Sequence, residues 1–152
     1  MNKNGPIIII EDDPDDREIL ETIFKKLNYK NEIVFFFDGE KALVYLNQTP
    51  VIPFLILSDI NMPRLNGLEL KKKIHTDAAL QIKCIPYLFF TTSASKNAVI
   101  DAYSMSAQGF FIKDNSEAEL EKTISIMVEY WQRCYSPNQF QTAEEILITE
   151  VN

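Results

Sequence analysis

Residues 54–63 read FLILSDINMP, an apolar run that ends on the carboxylate of Asp59 and breaks at a proline. Residues 7–14 read IIIIEDDP, and here an apolar run leads directly into three acids. Short apolar runs that are bounded by turn residues are typical of buried strands. Because open α/β sheets place their ligands at the carboxyl ends of the strands, the two runs predict a site at which these carboxylates meet.

The rest of the chain alternates apolar runs with helical patterns, which predicts successive βα units around a parallel sheet. The predicted strands lie near residues 7–11, 32–37, 54–59, 87–91 and 110–112. The predicted helices lie near residues 15–27, 40–47, 67–75, 96–105 and 116–135. With right-handed crossovers, these units predict an α/β fold of the flavodoxin-like, doubly wound (βα)5 type, with a five-stranded parallel sheet in the order 2-1-3-4-5.

Composition narrows the class of protein. The 152 residues carry a formal net charge of −7 and 46% hydrophobic residues, as expected for one soluble domain with a hydrophobic core. The acidity counts against binding to nucleic acid or to anionic membranes. The chain has two cysteines, Cys84 and Cys134, and it shows neither a secretory segment nor an apolar run that could span a bilayer. We therefore expect a cytoplasmic protein without disulfides.

Carboxylates at the ends of the first and third predicted strands are candidates for a metal site. Mg²⁺ takes oxygen ligands, usually one or two carboxylates together with phosphate oxygens, and Glu11, Asp12 and Asp59 offer such a set. Because Asp59 stands alone at its strand end, it is the best candidate for a nucleophile that forms an aspartyl-phosphate. We expect Asp15 and Asp16 to be solvated residues at the start of a helix, where acids are favoured.

Two further strand ends add a hydroxyl and a cation. The fourth predicted strand ends at Thr91, and the fifth leads directly into Lys113. A transferred phosphoryl group carries negative charge on its equatorial oxygens, so a hydroxyl donor and a cation are the expected stabilisers. Taken singly, a lysine at a strand end is usually a surface residue and a threonine usually caps a helix. The four strand ends together indicate phosphoryl chemistry.

This combination resembles the receiver domain of two-component response regulators, and the resemblance extends over residues 7–131. It implies a receiver domain over residues 1–135 and a C-terminal tail over residues 136–152, with no separate output domain. It implies a Mg²⁺ site formed by Glu11, Asp12, Asp59 and Asn61, in which Asp12 is a direct ligand, Glu11 acts mostly through water and Asn61 contributes its backbone carbonyl. It further implies that Asp59 is phosphorylated, that Lys113 and Thr91 bind the phosphoryl group, and that Thr91 and Phe110 are the switch residues.

The activity implied by the resemblance is that of a single-domain response regulator. A histidine kinase or a phosphotransfer protein donates a phosphoryl group to Asp59, and the new charge shifts the population between two packings of the protein-interaction face. Such a protein catalyses only its own phosphorylation and dephosphorylation, so it is not classed as an enzyme. Most receivers follow the lysine with a proline in a cis bond, whereas Asp114 stands here. In this departure, and in its last helix, the chain is similar to the regulators paired with bacterial phytochrome kinases.

Three other classes of protein fit the sequence less well. A degenerate receiver would act as a phosphorylation-independent protein-binding module, but the chain keeps Asp59, Thr91 and Lys113. A phosphatase of the aspartyl-phosphate type resembles a D-x-D pattern, and Asn61 replaces the second acid here. An FMN-binding flavodoxin would need a phosphate loop of Ser, Thr or Gly after the first strand, where this chain has acids.

The last predicted helix carries two apolar rows. One row predicts packing against the sheet and consists of Leu120, Ile124, Met127, Val128 and Trp131. The second row, Ile126, Tyr130 and Cys134, lies on a different face and predicts either a homodimer surface or burial against the C-terminal tail. His75 is the sole histidine, and we interpret it as an exposed residue at a helix end.

Overall fold

Each apolar run of the sequence forms a strand in the computed structural model, which describes residues 2–135. The strands are β1 (Ile7–Ile10), β2 (Ile33–Phe36), β3 (Leu55–Ser58), β4 (Tyr87–Thr91) and β5 (Gly109–Ile112). The helices are α1 (Pro14–Leu27), α2 (Gly39–Gln48), α3 (Gly67–Thr76), α4 (Ala78–Gln81), α5 (Lys96–Ser104) and α6 (Glu117–Arg133).

The strands form one sheet with the order β2-β1-β3-β4-β5, and every neighbouring pair is parallel. Strands β1 and β3 are buried at every residue, because they lie inside the sheet and helices cover both of its faces. This burial explains why the two runs are continuously apolar rather than alternating. The predicted flavodoxin-like, doubly wound α/β fold is confirmed.

Successive side chains of β1 divide the core into two layers, because neighbouring residues of a strand point to opposite faces. Ile7 and Ile9 belong to the layer beneath α1 and α6. Ile8 and Ile10 belong to the layer beneath α2, α3 and α5. The predicted inner row of α6 is confirmed at its four buried members, Leu120, Ile124, Met127 and Val128.

Several local predictions are corrected. The short helix α4 was not predicted; it forms because the Asp77 side chain caps it by accepting from the backbone N–H groups of Ala79 and Leu80. The last helix ends at Arg133, two residues before the predicted end. His75 lies in the last turn of α3 and is half-buried rather than exposed. The predicted tail over residues 136–152 lies outside the described residues.

Two further properties follow from the described residues. Both cysteines are free, as expected. Within residues 2–135, no helix has the length and hydropathy needed to cross a membrane.

Helix caps fix the loops that follow β1 and β3. Asp13 caps α1 by accepting from the N–H groups of Asp15 and Asp16, and Pro14 occupies the first helical position. Asn66 and Glu69 form a reciprocal capping box at the start of α3. The first residue of that helix, Gly67, donates its N–H to the carbonyl of Ile60 at 2.9 Å. The N-terminus of α3 is thereby held against the end of β3.

We predict that Gly67→Ala is destabilising, because a Cβ at this position would lie 2.0 Å from the backbone oxygen of Asp59. Overpacking of this kind costs about 1–3 kcal/mol. Urea denaturation measures the loss in the free energy of unfolding. Gly109→Ala is the control, because the nearest atom there is a ring atom of Phe111, which can move aside. A loss at Gly67 no greater than that at Gly109 would contradict the prediction.

Candidate functional site

Backbone hydrogen bonds bring the predicted site residues to one edge of the sheet. The N–H of Glu11 donates to Phe36 at 2.9 Å, and that of Asp59 donates to Ile10 at 3.0 Å. The N–H of Lys113 donates to the carbonyl of Thr91 at 2.7 Å. The carboxyl ends of β1, β3, β4 and β5 therefore present acids, a hydroxyl and a lysine on the same side.

The acids form a cluster of oxygen ligands. One carboxylate oxygen each from Glu11, Asp12 and Asp59 lies within 4.8 Å of the other two. Glu11 and Asp59 are buried and Asp12 is half-buried. Carboxylate oxygens at such separations suit a hard divalent cation such as Mg²⁺, which is held by oxygen and keeps part of its water. Asn61 follows in the loop after β3, and its side chain is exposed.

Lys113 reaches into this cluster from the end of β5. Its side chain is 6% exposed, and its Nζ lies in direct contact with the Glu11 carboxylate. The same Nζ donates to Asp16 Oδ2 at 2.9 Å and lies 3.8 Å from Asp59 Oδ2. The lysine is thus a buried cation paired with acids, not the surface residue that an isolated strand-end lysine usually is.

Asp16 corrects one sequence prediction. We expected Asp15 and Asp16 to be solvated residues at the helix start, and only Asp15 is exposed. Asp16 is half-buried and forms an ion pair with Lys113. The signal in the sequence was its place in the first turn of a helix that begins at a strand end, where side chains can turn back toward the sheet edge.

Burial of so many acids changes their affinity for protons. Burial raises the pKa of Glu11 to about 7 and outweighs the lowering by the Lys113 ammonium. Burial also raises the pKa of Asp12, and the negative charge of Asp59 acts in the same direction. For Lys113, burial acts to lower the pKa, but the bonds to Asp16 and Glu11 outweigh it and the pKa is raised. The cluster is therefore short of positive charge, which a divalent cation would supply.

Thr91 contributes an unpaired hydroxyl at the end of β4. The residue is 0% exposed. Its Oγ1 has no hydrogen-bond partner among the described residues. Buried polar side-chain atoms nearly always have a partner. Thr91 lies at the same edge of the sheet as the acids and Lys113, and an unpaired hydroxyl there is the kind of donor that a bound oxyanion would engage.

Phe110 lies at the start of β5 on the face covered by α5. Its ring centroid is 5.8 Å from that of Phe89, with an angle of 38° between the rings. Phe110 is partly buried and packs against the core layer that contains Ala102 of α5. Any movement of this ring is therefore transmitted through packing alone, because phenylalanine has no hydroxyl.

Asp114, which follows Lys113, stabilises the turn between β5 and α6. No peptide bond among residues 2–135 is cis, so the bond between Lys113 and Asp114 is trans. The Asp114 carboxylate accepts from the N–H of Ser116 at 2.8 Å, and Ser116 caps α6. The acid thus orders the turn that leads into the last helix.

Comparison with known proteins identifies the family. The family model for the response regulator receiver domain matches residues 7–125. The chain belongs to this family. The match covers all five strands and the first half of α6. Receiver domains are signalling modules rather than enzymes of metabolism.

Among curated relatives, response regulator Rcp1 of Synechocystis is 27% identical over 130 residues, which cover 82% of this chain and 87% of the relative. Chemotaxis protein CheY-3 of Vibrio cholerae is 28% identical over 129 residues, which cover 85% of this chain and 95% of the relative. The manganese-bound structure of Rcp1 has a TM-score of 0.74 at 25% identity and covers 88% of this chain and 97% of that one.

The predicted similarity to regulators of phytochrome kinases is confirmed. The phosphorylated cyanobacterial phytochrome response regulator RcpA has a TM-score of 0.78 at 24% identity, with coverage of 88% of this chain and 96% of that one. At this identity the likeness shows a shared fold.

We predict that Lys113→Met lowers the free energy of unfolding by about 3 kcal/mol, because it leaves Glu11 buried without its counter-charge. The loss stays at the lower end of the range for broken buried pairs because Glu11 can take up a proton. Denaturant unfolding at neutral pH measures it. Lys26→Met is the control, since it removes only a surface ion pair with Glu121 and little change is expected. Equal losses of stability in the two variants would refute the role of Lys113 as the buried counter-charge of Glu11.

Proposed function

We propose that this receiver domain is a cytoplasmic single-domain response regulator that accepts a phosphoryl group on Asp59 in a Mg²⁺-dependent reaction. The donor is a histidine kinase or a phosphotransfer protein, the partners with which receiver domains of response regulators interact. The observation that carries the proposal is the surroundings of the Asp59 carboxylate. One of its oxygens lies within 4.8 Å of carboxylate oxygens of Glu11 and Asp12, and its Oδ2 lies 3.8 Å from the buried ammonium of Lys113.

The two oxygens of Asp59 differ in their contacts. Oδ1 accepts from the N–H of Ile60 at 2.6 Å. Oδ2 accepts no hydrogen bond from the described residues and lies 3.8 Å from Lys113 Nζ. Oδ2 is therefore the nucleophile: it attacks phosphorus and forms the acyl-phosphate bond. The bond between phosphorus and the donor's nitrogen breaks, and its electron pair leaves with the donor.

Mg²⁺ would be held by Glu11, Asp12 and Asp59, together with the backbone carbonyl of Asn61. When bound, the ion supplies positive charge to the phosphoryl oxygens. Lys113 neutralises a phosphoryl oxygen of the modified Asp59. To do so, the ammonium exchanges part of its contact with Glu11 for a contact with the new anion. This movement is short, because Lys113 Nζ already lies 3.8 Å from Asp59 Oδ2.

Thr91 and Phe110 connect this chemistry to the surface. The unpaired Oγ1 of Thr91 gains an acceptor when a phosphoryl group arrives at Asp59. Movement of Thr91 at the end of β4 alters the packing beside Phe110 of β5, because Phe110 pairs with Phe89, which lies in β4 two residues before Thr91. The face of β4, β5, α5 and α6 then changes between two packings, and the phosphorylated population favours one of them.

The expected experiment is phosphorylation by a small donor. Incubation of the protein with acetyl phosphate or phosphoramidate and Mg²⁺ should add the mass of one phosphoryl group, detected by mass spectrometry of the intact chain. Chelation of the metal and the variant Asp59→Asn should each abolish the adduct. Asp12→Asn should slow its formation at least about tenfold, because a charged ligand of the metal is lost.

Asp13→Asn is the matched control for the metal ligands. Asp13 is an acid beside the same cluster, but it serves as the cap of α1, and Asn caps a helix as well as Asp does. This variant should form the adduct at the rate of the unmodified protein. An adduct that still forms in Asp59→Asn would refute Asp59 as the phosphoryl acceptor. If neither small donors nor histidine kinases yield one, the domain is a phosphorylation-independent binding module.

We also propose a homodimer surface on the outer face of α6, in a smaller form than the sequence predicts. Ile126 and Tyr130 are 56% and 61% exposed. Cys134 follows the end of the helix, is half-buried and packs against the core layer beneath α1 and α6, so it does not extend the exposed row. The surface within the described residues therefore consists of Ile126 and Tyr130.

Ile126→Glu should weaken self-association at least about tenfold, because it places a charge in an apolar contact. Analytical ultracentrifugation over a range of concentrations measures the change. Val44→Glu on α2 is the control, because Val44 is a comparably exposed aliphatic residue at 52%. A monomer at all concentrations, or an equal effect of both variants, would exclude this surface.

A further inference from the structure

A small cleft lies between α3, α4, the α4–β4 connection and the connection from α5 to β5. Its volume is about 170 Å³, and it is lined by Lys71, Ile74, His75, Leu80, Gln81, Cys84, Ile85, Ser106 and Gln108. None of these residues belongs to the site around Asp59. The lining contains a lysine and a histidine but no carboxylate, in a chain whose net charge is −7.

Lys71 is a buried cation without a counter-charge. It is 5% exposed. No carboxylate of the described residues lies within salt-bridge distance of Lys71. Its Nζ makes a cation–π contact with the ring of Tyr87, whose centroid is 5.5 Å away. Burial lowers the pKa of Lys71, with no negative charge to oppose it. Buried lysines are normally paired, so the cleft lacks the charge that would complete it.

Other groups at the cleft add hydrogen-bond donors. Gln108 is exposed at the rim of the cleft; its Oε1 accepts from the N–H of Tyr87 at 2.8 Å, and its Nε2 donates to none of the described residues. The wall also includes Cys84 and Ser106, two non-glycine residues with positive φ, at 48° and 60°. Both residues are exposed and follow the ends of helices α4 and α5, where positive φ is common.

We propose that this cleft is a binding site for a small anion, a carboxylate or an oxyanion of the size of acetate, nitrate or phosphate. Lys71 supplies the charge, and Gln108 and Ser106 supply hydrogen-bond donors. The volume excludes larger ligands, because pockets that enclose drug-sized molecules measure about 300–1,000 Å³. The absence of acids from the lining excludes a cation. The cleft shares no residue with the acidic cluster around Asp59, so this proposal does not rest on the proposed function.

Residue-resolved NMR tests the proposal on the full-length protein without Mg²⁺. Sodium acetate, nitrate, bicarbonate and phosphate are titrated separately, with sodium chloride reduced to keep the ionic strength constant. At least one of them should give saturable shifts of the amide signals of Lys71, His75, Ser106 and Gln108. Phosphate that binds near Lys113 instead would shift the amides around Asp59, so the two locations are told apart.

Lys71→Met should weaken binding about tenfold or more, because a charge-assisted contact is lost. Lys72→Met is the matched control, since Lys72 is the next residue of the same helix and is exposed; its affinity should equal that of the unmodified protein. The site is refuted if none of the four anions gives saturable shifts at the cleft, or if both variants weaken binding equally.

A measurement without substitution covers the case in which Lys71→Met does not fold. In protein labelled with ¹³C at lysine, the ε-carbon signal of Lys71 should move on addition of the anion. The signals of the exposed Lys72 and Lys73 should stay unchanged. Equal movement of all three signals would indicate general ionic screening and would overturn the proposal.

Discussion

The ammonium of Lys113 lies within 3.8 Å of carboxylate oxygens from the end of β1, the first turn of α1 and the end of β3. Neither partner in such an arrangement is stable alone, because a buried charge is costly unless it is paired. The lysine and the acids therefore hold four chain segments in register at one edge of the sheet. One ammonium does not neutralise the cluster of Glu11, Asp12, Asp16 and Asp59, and the deficit is what prepares the edge for a divalent cation.

Much of this edge was predictable from sequence. A run of four isoleucines that ends in Glu11 is read as a buried strand whether or not its neighbours are known, and the same holds for the run that ends in Asp59. Parallel strands must deliver such residues to one edge. The order of the strands followed because the chirality of βα crossovers leaves few topologies open. These features depend on local patterns and on general rules of chain geometry.

The features that were missed depend on the rotation of a helix about its axis. Asp15 and Asp16 are adjacent acids of one helical turn, and only the packing of α1 on the sheet decides which of them meets Lys113. The same holds for the three consecutive lysines of α3, of which Lys71 alone is buried, beside Leu70 and Ile74. A short helix such as α4 is also difficult to predict, because a single capping acid decides whether it forms.

Lys71 and Lys113 are two buried lysines with opposite surroundings. Carboxylates raise the pKa of Lys113, whereas burial beside an aromatic ring lowers that of Lys71. The site around Lys113 therefore lacks a cation, and the cleft at Lys71 lacks an anion. They are connected by one helix: Tyr87, which lies beneath Lys71, donates its hydroxyl to the carbonyl of Gly67 at 3.1 Å, and Gly67 lies against the backbone of Asp59. An anion at the cleft and a phosphoryl group at Asp59 would be linked if each bound one position of α3 more tightly than another, and the bond from Tyr87 to Gly67 is a contact through which both sites meet that helix.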